Sequence, residues 1–448
     1  MADMTQSELE DATLSPYRWQ SLISRRFGEI GSASSYPLSI HELRPPLLND
    51  NSGGSQTDRL VPPVLKSFAL TPGGQYLFAS MQMGDKDAGM LHVWDLGNKP
   101  LSEGSPPKII ASLSLDGIHT DLQTHIVEDE LISCAMFIRD RLQLYIYHLD
   151  PDAGELKEVS SLISTSLTEI WSIDQMGDFA TFFKGDLVAL GQFEVVLLWE
   201  FSQNKALFCD IDRYHINQIY SFGHILVSWE DTGDHFDGGT LVFFHMPELV
   251  AIVGPSGEVE WRDVIIHQEN VVNPFKFASH SWPFFSFQLN SCDLLVSATG
   301  ESIHDLIVGQ YRISSANNEP SRVEQIQNLV LYDNIGGDRL FFGYSWEGRC
   351  YGGAPIRFLD DSVLLPGYFY RADECKIQAI LVKQSGVCVE GELWCSDSSC
   401  RASDRVQWRM PPSYEYIEDI LFKMDALSGR ACIHFHGGLQ IIDYNVIH

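Results

Sequence analysis

The chain has 448 residues, and its 60 Asp and Glu against 30 Lys and Arg give a formal charge of -30 and a pI near 4.7. So acidic a field repels phosphate backbones and anionic membranes, which argues against nucleic-acid and membrane-surface binders; it would speed encounter with a basic segment of another protein, although a solvated surface that only keeps the chain soluble is the leading reading. Hydrophobic residues at 44% suffice for a packed fold, nine scattered cysteines point to reduced thiols, and no run reaches the length of a membrane helix; the expectation is a soluble monomer of the cytosol or nucleus.

Residues 1–30 carry the helical signals. Ser7 and Glu10 have capping-box spacing, and Ser15 before Pro16 offers an N-cap with proline at the first helical position. Trp19, Leu22, Ile23 and Phe27 then recur at helical steps until Gly28, which can end the helix. This predicts two short helices, the second with an apolar stripe packed on its own chain. Residues 31–65 read as a closure strand and linker: PLSIHEL at 37–43 has strand character, and LLNDNSGGSQTDRLVPP at 47–63 reads as a flexible loop.

From residue 66 the pattern becomes short apolar runs broken by Gly, Asp, Asn and Pro. Seven runs repeat loosely: LHVWD at 91, LYIYH at 144, VLLWE at 196, LVFFH at 241, VGQYR at 308, IQAIL at 377 and LQIID at 439. Their starts lie 45 to 69 residues apart, which suits four-stranded propeller blades with variable loops. Several have a second strand just upstream, as Gln75–Ser80 does before LHVWD and Ala431–Phe435 before LQIID. The spacing therefore predicts an all-β fold, a seven-bladed β-propeller over 66–448. The last run ends at Tyr444, so its blade needs an outer strand from elsewhere, and Pro37–Leu43 can supply it and remove two open sheet edges.

The segment SFALTPGGQYLFAS followed by LHVWDLG resembles a WD-repeat unit, although only Trp94-Asp95 keeps the dipeptide. Two further segments, SELEDATLSPYRWQSLISRRF and DILFKMDALSGRACIHFHGGLQIIDY, resemble the C-terminal region of fungal, especially mushroom, F-box-type proteins. In that family an F-box docks on the adaptor of a cullin-based ubiquitin ligase and the propeller receives substrate. No LPxE-type F-box precedes the blades here. The resemblance implies a protein-binding scaffold, with ubiquitin ligase subunits among its partners.

Chemistry-bearing motifs are sparse. There is no GxxxxGK[ST], GxGxxG, HExxH or GxSxG pattern, and Gly343–Gly348 around Ser345 has the wrong spacing for a nucleophile elbow. Asp231, Asp234 and Asp237 could approach calcium, but without the alternate-residue ligands they read as a solvated hairpin loop. Cys388, Cys395 and Cys400 with His434 and His436 lack paired zinc spacing and read as buried free thiols and partly exposed histidines. Trp346, Tyr351, Tyr368, Phe369 and Tyr370 flank glycines and prolines, as loop anchors or as packing between blades. No catalytic, cofactor-binding or metal residue is assigned, and no cofactor is expected. The leading reading is a non-catalytic protein-interaction platform; the other is a propeller hydrolase or lyase with its site in the central channel.

Overall fold

A computed structural model describes the thirty strands named below and short turns at 63, 71–75, 96–97, 106–107, 151–154, 185–186, 194, 201–204, 211, 246–249, 252, 258–259, 264 and 428–429. The helices expected over 1–30 and all of the loop at 47–63 but Pro63 lie outside the described residues, which contain no helix. Contacts divide the chain into two units, one of residues 1–19, 37–173 and 399–448, the other of 20–36 and 174–398.

The first unit opens with β1 (Ser39–Leu43). A first sheet follows in sequence order, β2 (Val64–Leu70), β3 (Tyr76–Gln82), β4 (Ala88–Asp95) and β5 (Lys108–Asp116). The second sheet repeats that order with β6 (His119–Ile126), β7 (Ile132–Ile138), β8 (Gln143–Asp150) and β9 (Glu155–Ile163).

In the second unit, β10 (Ala180–Lys184), β11 (Leu187–Gln192), β12 (Val195–Glu200) and β13 (Lys205–Asp210) form a third sheet. A fourth begins with β14 (His215–Phe222), β15 (Ile225–Asp231) and β16 (Gly239–His245). The chain then returns to β13, against which β17 (Val250–Ala251) pairs antiparallel and β18 (Glu260–Asp263) parallel. The strand β19 (Val271–Val272) completes the fourth sheet. The fifth holds β20 (Phe284–Leu289), β21 (Asp293–Glu301), β22 (Asp305–Ala316) and β23 (Glu319–Tyr332). The sixth holds β24 (Ile356–Arg357), β25 (Val363–Arg371), β26 (Glu374–Val382) and β27 (Cys388–Cys395).

The final strands, β28 (Leu421–Asp425), β29 (Arg430–Phe435) and β30 (Gly438–Asp443), belong to the first unit again. Their fourth strand is β1, which pairs antiparallel with β30 from Ser39 opposite Asp443 to Leu43 opposite Leu439. This terminal sheet thus joins residues from both ends of the sequence.

Each of the seven apolar runs read from the sequence falls on the third strand of its sheet: β4, β8, β12, β16, β22, β26 and β30. Where side chains are described, these are strands buried on both faces, as the four central residues of β12 are, and such strands read as continuous apolar runs. The fourth strand β9 alternates with solvent instead, and only Leu162 on it is fully buried.

Side-chain alternation sends the two faces of the first sheet into two different cores. Leu77, Ala79, Met81 and Trp94 pack with Leu43, Cys432, Leu439 and Ile441 of the terminal sheet. Phe78, Leu91 and Val93 pack with Leu122, Cys134, Tyr147 and Leu149 of the second sheet. In the second unit, Phe182, Val196, Leu198 and Leu207 build a separate cluster with Ile219 of β14.

Of the two readings for Tyr368, Phe369 and Tyr370, loop anchors or packing between blades, the loop one is set aside here, since all three sit on β25, paired with β26. Pro366 and Gly367 suggested a break, but β24 reaches only as far as Leu364, so β25 has no described neighbour on that side at Pro366. A proline without an N–H is tolerated at such an edge.

Candidate functional site

Among the described residues, those considered for chemistry are not drawn together. Asp231 ends β15, whereas Asp234 and Asp237 lie outside the described residues. Cys388 and Cys395 are the first and last residues of β27, seven positions and so roughly 23 Å apart at strand rise, too far to share one ion. Cys400, His436, Trp346, Tyr351 and the Gly343–Gly348 segment lie outside the described residues. Among the described residues no group of three or more metal-ligating side chains forms, and no helix is long and apolar enough to cross a membrane.

Cys134, Cys209 and Cys432 are buried and free. Burial pushes the Cys209 thiol up to about 12 and raises the other two thiols as well, which leaves little thiolate for metal or redox chemistry. His434 corrects an expectation: it is only 3% exposed, because β29 is covered on both faces.

What the structure does assemble is a polar clamp at the seam between the terminal and first sheets. Arg430 opens β29 and projects toward the first sheet, as Cys432 does two residues later. Its Nη1 donates to the carbonyl of Gly74 at 2.7 Å and to that of Gly97 at 2.9 Å. Its Nη2 meets Asp443 Oδ2 at 2.9 Å, and both side chains are almost wholly buried.

Local sequence sets each acceptor. Gly73 and Gly74 take positive φ, 83° and 68°, in the turn before β3, where Gly74 N–H donates to Thr71 O at 2.8 Å. A Cβ on Gly74 would come within 2.5 Å of Ser428 Oγ, so this close approach of the two sheets requires glycine. After β4, Trp94 enters the core while Asp95 Oδ1 accepts Gly97 N–H at 2.8 Å, which aims the Gly97 carbonyl at Arg430. On the other side, Asp425 Oδ2 accepts Ser428 N–H at 2.7 Å and Ser428 Oγ accepts Arg430 N–H at 3.2 Å. A clamp of this kind holds and specifies; it offers no nucleophile or general base to a substrate.

The sequence reading missed this clamp. Its one signal was a cation opening the apolar run RACIHF, with a carboxylate ending LQIID.

The accessible surface offers a second kind of site. The exposed large hydrophobic residues among those described are Ile109 on β5, Val159 and Ile163 on β9, and Trp261 on β18. Trp261 leans on buried Phe208 with ring centroids 5.9 Å apart. No described strand pairs with the outer edge of β9, but its register with β8 shifts at Val159, and Glu155, Lys157 and Glu158 line it. A bulge and charges blunt an edge against strand addition.

Fold and site together define an all-β protein of antiparallel sheets, with a docked terminal sheet and no assembled reaction centre among the described residues. No protein-family model matches the chain, and no curated protein matches it in sequence. It is similar in structure to Sqt1 of Chaetomium thermophilum, solved bound to the N-terminus of ribosomal protein L10: 11% identity over 83% of this chain and 81% of that one, TM-score 0.42. Drosophila Semaphorin 1a, extracellular domains 1–2, matches with 8% identity over 86% and 87%, TM-score 0.40. The S. cerevisiae core factor matches with 9% identity over 76% of this chain, TM-score 0.38, and the chain spans about half of that chain's length, 48%.

Proposed function

We propose that the chain is a non-catalytic protein-interaction platform, a seven-bladed propeller of divergent WD-repeat type over 66–448, with 31–65 as closure strand and linker and 1–30 as a helical segment. The observation that carries this reading is the recurrence of one apolar run on the third strand of seven sheets, with β1 completing the sheet of β28–β30. Repetition with a shared terminal sheet is how a propeller closes its edges, and closed blades present variable loops as a rigid binding rim.

A formal charge of -30 favours a basic protein segment as partner, by steering more than by contact energy. Ubiquitin ligase subunits are the partners suggested by the F-box-type resemblance, and cytosol or nucleus the expected location. The test is affinity purification of the tagged full chain from its own cells, with mass spectrometry of what co-purifies and a repeat wash at 0.5 M salt. Basic partners lost at high salt support the platform; a cullin and its adaptor would add the ligase role. Recovery of no protein above control sinks the interaction reading. Small-angle scattering of the purified chain tests the ring independently, because a chain of separate, extended units would scatter with a much larger radius of gyration.

A further inference from the structure

The seam between the terminal and first sheets also holds two imidazoles. His434 shares the seam face of β29 with Cys432, and His92 shares that of β4 with Trp94, whose ring it meets edge to face at 5.7 Å. Both are buried, and among the described residues the Nε2 of each has no hydrogen-bond partner. His92 Nδ1 lies 2.7 Å from Ser112 Oγ, so one nitrogen of that ring is served.

We propose that this seam is an acid-sensitive joint, at which protonation of His434 and His92 loosens the terminal sheet from the first sheet while the second sheet stays folded.

The charges that face the seam make the joint sensitive. They are Arg430 of β29, Asp443 of β30 and Asp425 of β28, and on β2 the partly buried Lys66 sits at the register shift between Leu65 and Ser67. By register, Lys423 of β28, opposite Cys432, and Asp116 of β5, opposite Ala88, take seam-side positions, and His41 of β1, opposite Ile441, is a third imidazole. The face of β3 brings only Leu77, Ala79 and Met81. Asp443 is already held by Arg430, and Asp425 by the Ser428 N–H. A proton on His434 or His92 therefore adds positive charge to an apolar layer that already contains a buried guanidinium.

Burial holds both rings at about 4, below the ordinary 6.5. A value lowered on folding means that the stabilisation is complete above about 6.5 and is lost as pH falls toward about 4.

Hydrogen–deuterium exchange of the full chain between pH 7.5 and 5, corrected for intrinsic rates, tests the joint. Peptides covering β1, β29 and β30 should gain exchange relative to β7 and β8, on the order of tenfold for each imidazole released. His434→Leu and His92→Leu should each reduce the gain and the pair should abolish it, with His434→Gln as the alternative if the leucine variant fails to fold. An equal gain in β7 and β8, no gain at pH 5, or a gain that survives both substitutions would overturn the proposal.

Discussion

The two faces of the first sheet are packed by different means. Toward the second sheet the core is almost entirely side-chain carbon, and the neighbours follow closely in sequence. One side-chain hydrogen bond crosses it, from Thr124 Oγ1 to Leu70 O at 2.8 Å, spanning 54 residues. Toward the terminal sheet an apolar core of similar make-up is joined by Arg430, whose bonds to Gly74 and Gly97 span 356 and 333 residues. Apolar area attracts without choosing a register, whereas a guanidinium that must meet two carbonyls and a carboxylate accepts only one docking. The difference suggests that local order suffices where the chain simply continues into the next sheet. Where remote segments meet, directional contacts select the arrangement.

The sharpest way to break this comparison is Arg430→Met. It leaves Asp443 buried without its cation, and removing one partner of such a pair costs about 3–5 kcal/mol. Urea denaturation should show the loss, and Arg430→Met with Asp443→Leu should recover much of it, because the pair then becomes apolar on both sides. If Arg430→Met alone costs no more than a surface substitution, the clamp does not hold the seam.

Two adjacent glycines give the next effect. Alanine at Gly74 incurs the left-handed backbone penalty and also forces Ser428 Oγ away from Arg430 N–H, for a total of about 2–3 kcal/mol. Alanine at Gly73 meets nothing within 4 Å and bears the backbone penalty alone, about 1 kcal/mol. Equal losses in urea midpoint at the two positions would show that the sheets do not press together at Gly74.

Much of the strand order was legible because a third strand covered on both faces must be written as a continuous apolar run, and LYIYH, VLLWE and LQIID are such runs. Even the weaker VGQYR and IQAIL fall on third strands, found by spacing. The partnership of Arg430 with Gly74 and Gly97 could not be read this way, since no periodicity links residues more than 300 apart. The cover of β13 by β17 and β18 escaped for another reason: strands of two and four residues carry too little pattern. His434 was read as partly exposed, but the face of β29 that it shares with Cys432 packs against the first sheet. For Tyr368–Tyr370 the loop reading stayed open beside packing because Pro366 and Gly367 are usual breakers; at Pro366 β25 has no described neighbour on the side of β24, which removes that objection.

The smallest effect bears on the apolar side of the comparison. Thr124→Val keeps the volume and removes only the hydroxyl that bonds Leu70 O, so about 1 kcal/mol should be lost, and the left-over carbonyl sets that cost. The seam toward the second sheet has Phe78, Leu91, Val93, Leu122 and Leu149 to hold it, all in the same cluster. Exchange in β6 and β7 should therefore stay within a few-fold of the unsubstituted chain, since about 1 kcal/mol is roughly a factor of five. A loss as large as that of Arg430→Met would mean that this seam too depends on one directional contact. The contrast between a seam that selects and a seam that merely packs would then fail.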